Sequence, residues 1–129
     1  MNYLAIDFGL SKVGVAFSEG KIAQPAEVIH YNDLKKLVSK IQYLVKKYNT
    51  QAIVIGISEG RMSKKIYDFG EIIKKEIGIS PIYQDETLTT LEAQTMSAAA
   101  GHSRKKRKEL EDAFSATIIL QNYLDERLI

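Results

Sequence analysis

Apolar residues come in short blocks whose period changes along the chain, and the changes mark the elements. Tyr3 to Phe8 is an apolar run that meets an acid at Asp7 and a glycine at Gly9, which predicts a buried strand leading into a turn. Val13 to Ser18 and Ala23 to Ile29 predict two further strands, with turns over Gly9 to Lys12 and Glu19 to Lys21. The first two strands read as a hairpin, and Pro25, which has no amide hydrogen, assigns the third to a sheet edge. Asn32 then caps a helix in which Leu34, Leu37, Val38, Ile41, Leu44, Val45 and Tyr48 keep helical spacing without a gap. Ala52 to Gly56 is a continuous apolar run, as expected of a central strand covered on both faces. A helix over about Ser63 to Ile77 presents Ile66, Phe69, Ile73 and Ile77 and stops at Gly78, and Pro81 to Gln84 forms the fifth strand. Thr89 and Glu92 stand at capping-box spacing for a helix to about Ala100, ended by Gly101. A last helix runs from near Arg104 to about Asp125.

This order implies an α/β domain with a five-stranded mixed sheet flanked by helices, the first three strands antiparallel and the later two parallel to the first. Crossovers through helices are right-handed, so the later strands stack beside the first. The carboxyl ends of the first and fifth strands then share one edge, where open α/β sheets bind ligands.

Length and composition narrow the picture. The 129 residues, 45% hydrophobic, suffice for one sizeable core, so residues 1–129 read as a single domain. No cysteine is available for disulfides or thiolate metal sites. No segment looks like an export signal or a membrane span, which makes the cytoplasm the default location. The net charge of +2 says little, but its distribution says more, because basic residues crowd into Arg104-Lys105-Lys106-Arg107-Lys108.

Acids stand where elements begin or end. Asp7 closes the first strand, the pair Asp85-Glu86 closes the fifth, and Asp112 opens the last helical stretch. Each has a plain explanation: Asp7 before Gly9 is as readily a turn former, Asp85-Glu86 alone reads first as solvated loop, and Asp112 suits the dipole of a helix start. Acids from three remote segments meeting at one edge are, however, how a protein holds a hard divalent cation. Ala113, Ala116, Ile119, Leu120 and Tyr123 leave little of the last helix for solvent, and the small Ser115 and Ala116 leave room beside Asp112. Cations in the first turn of a helix oppose its dipole at about 0.3–1 kcal/mol each, so the basic run is either a solvated face or a phosphate contact. His30 and His102 carry no ligand pattern.

Taken together, these segments resemble the YqgF/RuvX-type proteins over nearly the whole chain. The matching stretches are Ile6-Asp7-Phe8-Gly9 with Gly14-Val15-Ala16, Ala23-Gln24-Pro25, Ile53-Val54-Ile55-Gly56, Asp85-Glu86 with Leu88-Thr89-Thr90, Ala100-Gly101-His102-Ser103-Arg104, and Asp112 through Leu124. The resemblance implies a ribonuclease H-like fold, kinship with Holliday-junction resolvases, and a nuclease that matures the 5′ end of precursor 16S ribosomal RNA. It implies that Asp7, Glu86 and Asp112 are catalytic and hold one or two Mg²⁺ or Mn²⁺ ions, Glu86 rather than Asp85 being the residue that matches. Lys12, Arg61, Arg104, Lys105, Lys106 and Arg107 are then the nucleic-acid contacts. The chain departs from the family pattern at Leu10-Ser11-Lys12, which reduces the basic rim there to Lys12, in the short Ile57 to Arg61 loop, and at Thr87.

Precursor ribosomal RNA is the expected partner, with branched DNA as the alternative, and the protein is expected as a monomer or a homodimer without membrane attachment. Three other readings stay open. A resolvase of four-way DNA would need two sites and hence a dimer. A nucleic-acid binding module would need no catalysis, and Asp7-Phe8-Gly9 as a nucleotide-phosphate turn would imply a much longer chain with paired domains.

Overall fold

The computed structural model describes residues 1–58, 60–85, 101 and 103–127 of the 129. Its strands are β1 (Tyr3–Asp7), β2 (Lys12–Ser18), β3 (Ala23–His30), β4 (Ala52–Ile57) and β5 (Ile82–Asp85), joined in one sheet of order β3-β2-β1-β4-β5. The described helices are α1 (Leu34–Lys47), α2 (Ser63–Ile77), α3 (Arg104–Glu109) and α4 (Glu111–Arg127). β2 is antiparallel to β1 and β3, whereas β4 runs parallel to β1 and β5 parallel to β4. This is the mixed sheet that the hydrophobic pattern predicts. Pro25 does lie on the outermost strand, beside a bulge where Val15 pairs with Glu27 and Ala16 with Pro25. Pro81 stays out of the ladder, and β5 starts one residue later, with Ile82 opposite Val54.

Two expectations need correction. Asp33, not Asn32, caps α1, its side chain accepting from the Lys35 amide at 2.9 Å. Both residues carry a short acceptor, but the helix begins at Leu34, so only Asp33 occupies the flanking position. The last helix is two helices, interrupted at Leu110, whose amide bonds back to the Lys106 and Lys108 carbonyls. α3 buries nothing, whereas α4 buries Ala113, Phe114, Ala116, Thr117, Ile119, Leu120 and Leu124, so the two segments answer to different surroundings. The helix expected over Thr89 to Ala100 lies outside the described residues.

Strand alternation divides the core in two. One face carries Leu4, Ile6, Val13, Val15, Ile53 and Ile55, packed against Leu37, Ile41 and Leu44 of α1 and Ile66, Phe69 and Ile73 of α2. The other presents Ala5, Ala16, Ala23, Ala52 and Val54 to Ala116, Ile119, Leu120 and Leu124 of α4. Large side chains fill the first face and, Tyr3 apart, small or medium ones the second, so α4 can sit close to the sheet. Its approach is closest at Gly14, where a β-carbon would collide with the carbonyl of Asp112 and lie 2.9 Å from the Ala113 nitrogen. Gln121 fixes the far end, accepting from the Ala23 amide at 2.9 Å and donating to the Lys21 carbonyl at 3.0 Å.

A methyl group at Gly14 must push backbone rather than a flexible side chain. Gly14→Ala is therefore expected to destabilise the fold by about 1–3 kcal/mol, the range for overpacking. Urea unfolding checks this, and unchanged stability would mean that α4 is free to lift from β2.

Candidate active site at the carboxyl edge of the sheet

Asp7 is the last residue of β1 and pairs in register with Gly14 of β2. Alternation places it with Tyr3 and Ala5 on the α4 face, and the chain leaves it half-buried there. Asp112, in the first turn of α4, has its carbonyl against that same Gly14. The seating of α4 on Gly14 thus brings two acids from opposite ends of the chain to one strand end.

Lys12, the first residue of β2, places its Nζ 3.2 Å from Oδ2 of Asp112. The sequence reading gave Lys12 to the nucleic acid, and the structure gives its ammonium a carboxylate partner. The lysine side chain is 52% exposed and the aspartate 27%, so the pair is an accessible one. Such pairs are worth at most about 1 kcal/mol and yield readily to a stronger ligand.

Other expected residues are distributed around this edge. Arg104, Arg107 and Lys108 line one hollow together with Glu111, directly before Asp112 in the chain, and Lys105 and Lys106 are exposed on the same short helix. Arg61 is exposed in the turn between β4 and α2, beyond the carboxyl end of β4. Asp85 is on the opposite side of the sheet from Asp7, in a hollow with Ile57, Ser58, Ser63 and Tyr67. Glu86 lies outside the described residues. Among the described residues no three acidic or histidine side chains cluster closely enough to hold a metal ion.

Tyr31 is the residue that pattern reading missed. Its hydroxyl donates to the Gly9 carbonyl at 2.6 Å and its amide to the Ser11 carbonyl at 3.0 Å, so it clamps the turn that follows Asp7. Phe8 completes the clamp, stacked on Phe69 with ring centroids 4.4 Å apart and tilted against Tyr31 at 6.5 Å. The available signal was an aromatic with a polar tip in the otherwise polar stretch after β3, a tip that needs a partner when its ring is covered.

The family model described as "RuvX: Holliday junction resolvase" matches residues 1–126. The chain belongs to the RuvX family. Its similar relatives include proteins of Leuconostoc mesenteroides (36% identical, over 98% of this chain and 96% of the relative) and Caldanaerobacter subterraneus (36%, over 98% of both). A protein of Lacticaseibacillus casei is 37% identical over 98% of this chain and 96% of its own length. All three are named "Putative pre-16S rRNA nuclease". Among solved structures, Thermus thermophilus RuvC bound to a Holliday junction superposes with a TM-score of 0.64 at 14% identity, covering 99% of this chain and 96% of that one. The fowlpox virus resolvase with its junction DNA gives 0.66 at 13%, covering both chains fully. At such identities the likeness is one of fold, and the ribonuclease H-like architecture implied by the resemblance is the one this RuvX-family chain adopts.

Burial holds the Tyr31 phenol above its ordinary pKa of 10.0, because the phenolate would lose hydration. The folded value exceeds the unfolded one, so this contribution to stability is whole below the unfolded pKa and is lost as the pH rises through the folded pKa. Burial, then Glu71 and Tyr67, raises Tyr83 in the same direction. Tyr31→Phe is expected to cost about 0.5–1.5 kcal/mol at neutral pH through the lost hydrogen bond, and to flatten the alkaline fall in stability. Urea unfolding at a series of pH values between about 8 and 11 reads both effects. An identical alkaline fall in the variant would remove Tyr31 as its source.

Proposed function

We propose that the protein is a metal-dependent endonuclease that hydrolyses phosphodiester bonds in the 5′-end maturation of precursor 16S ribosomal RNA. The observation that carries this reading is the meeting of Asp7 and Asp112 at Gly14, on the sheet edge where α/β folds bind ligands. The names of the relatives favour precursor ribosomal RNA as the substrate. We assign the chain a single nuclease domain acting in the cytoplasm.

Asp7, Glu86 and Asp112 are the proposed holders of one or two Mg²⁺ or Mn²⁺ ions. The donor set fits such ions, since hard divalent cations take carboxylate oxygens and the two described acids reach the same strand end. The position of Asp85 on the other face favours Glu86 as the third acid. When bound, these ions would supply activated water and neutralise charge at the phosphate. Lys12 holds the Asp112 carboxylate in place and, being partly exposed, can turn towards a phosphate once that carboxylate has another cation. Arg104, Lys105, Lys106 and Arg107 grip the nucleic-acid backbone next to Asp112, and Arg61 does so at the β4 end of the edge. Tyr31 keeps the turn after Asp7 from shifting the carboxylate.

A second reading, resolution of four-way DNA, draws on the likeness to junction-bound resolvases and requires a dimer that presents two sites.

Cleavage of precursor 16S RNA and of a four-way DNA junction, with Mn²⁺ or Mg²⁺ present, separates the two. Asp7→Asn and Asp112→Asn should each slow RNA cutting by at least ~10²–10³-fold, the scale for removing one preorganised charge-stabilising group, with melting temperature retained. Chelation of the metal should abolish cutting. Preference for the junction would favour the resolvase, and undiminished cutting by either variant would refute the assigned site.

A further inference from the structure

α1 (Leu34–Lys47) carries five lysines and no acid, in the sequence Leu-Lys-Lys-Leu-Val-Ser-Lys-Ile-Gln-Tyr-Leu-Val-Lys-Lys. Leu37, Val38, Ile41 and Leu44 bury its inner face. On the outer face Lys36, Lys40, Tyr43 and Lys47 follow one another at spacings of four, three and four residues, which at 3.6 residues per turn confines them to a sector of roughly 60°. Tyr43 is 56% exposed, a large ring held in water by the sequence. The Lys40 ammonium lies 5.2 Å from the centroid of that ring and 3.7 Å from Oε1 of Glu27. By contrast, α2 mixes Asp68, Glu71 and Glu76 with its lysines.

The row begins at the same edge of the sheet as the two acids but on the opposite face, so a strand held at Asp7 and Asp112 reaches it by passing over the β2–β3 end of that edge. His30, at the end of β3, pairs in register with Lys12, the residue bound to Asp112. From His30 a hollow of about 350 Å³ between β3 and α1 leads past Asn32 to Lys36 and Lys40, with Glu27 the acid on its wall. Tyr43 and Lys47 extend the row along the helix by a further turn or two.

We infer that this row is a binding track for a single-stranded RNA segment that continues from the active edge along α1. The lysines meet successive phosphates, and Tyr43 offers a ring on which a base stacks. Stacking on an exposed aromatic beside cations is how proteins hold single strands without reading their sequence. Duplex has no unstacked base to give to Tyr43, so a single strand is the occupant that uses both parts of the row. The choice of RNA rests on the proposed nuclease reading, whereas the track itself rests on α1.

Fluorescence anisotropy tests it, with a labelled, unstructured RNA of about 20 nucleotides, longer than the ~4–16 that one single-strand-binding fold covers. All proteins carry Asp7→Asn so that nothing is cut. Adding Lys36→Gln, Tyr43→Ser and Lys47→Gln should weaken binding by at least ~10-fold, given the usual strength of base–aromatic stacking. It should also reduce the slope of log affinity against log salt by about 1.4, or ~0.7 for each lost phosphate contact. Lys74→Gln with Lys75→Gln, the same charge change on exposed positions of α2, should leave both values as they were. Equal melting temperatures exclude unfolding as the cause. Unchanged binding in the α1 variant, equal losses in both variants, or no binding by the parent would each overturn the track. Cleavage of precursor RNA by the chain with native Asp7 is scored separately. Cutting together with binding indifferent to α1 sinks only the track, and dependence on α1 without cutting sinks only the nuclease.

Discussion

Backbone contact between Gly14 and the first turn of α4 sets where that helix meets the end of β1. Because Gly14 has no side chain, the Asp112 carbonyl can rest where any other residue would place its β-carbon. Asp7 stands opposite Gly14 in the ladder, so the same contact that docks the helix also brings its first-turn acid to the strand-end acid. Helix packing and the placing of the two acids therefore share one constraint: a helix that rides higher on the sheet also carries Asp112 away from Asp7.

The small residues on that face of the sheet keep the constraint satisfied along the rest of α4. Ala5, Ala16, Ala23 and Ala52 leave space for Ile119, Leu120 and Leu124, and Gly56 admits the Ile119 side chain where a β-carbon would overlap it. On the other face, Ile, Leu and Val from four strands pack against α1 and α2 at ordinary side-chain depth. The asymmetry explains why α4 is buried around much of its circumference while α1 keeps one face open. The interruption at Leu110 separates a helix committed to the sheet from a basic one that buries nothing.

Charge pairing at this edge adds little to stability. Acids gathered at one strand end repel one another unless cations join them, and Lys12 supplies one such cation within the chain. An exposed ammonium on a partly exposed carboxylate is a weak attachment. The turn after Asp7 is held instead by the uncharged clamp of Tyr31 on Gly9 and Ser11, backed by Phe8 and Phe69.

Much of this architecture was legible in the sequence, because strands and helices have fixed periods and apolar residues repeat at those periods whatever surrounds them. That determined the five strands, α1 and α2, the edge position of the strand with Pro25, and the placing of Asp7 at a strand end. The family, with its ribonuclease H-like fold, could be read from the order of short segments. Local signals failed where two neighbours were equally suited, as with Asn32 and Asp33, or where one periodic stretch hid a break at Leu110. The remainder belongs to tertiary structure: the Gly14 contact, the Lys12 to Asp112 pair, and the bond from Tyr31 to Gly9. These join residues remote in sequence, and they depend on how closely one surface approaches another, which no spacing along the chain records.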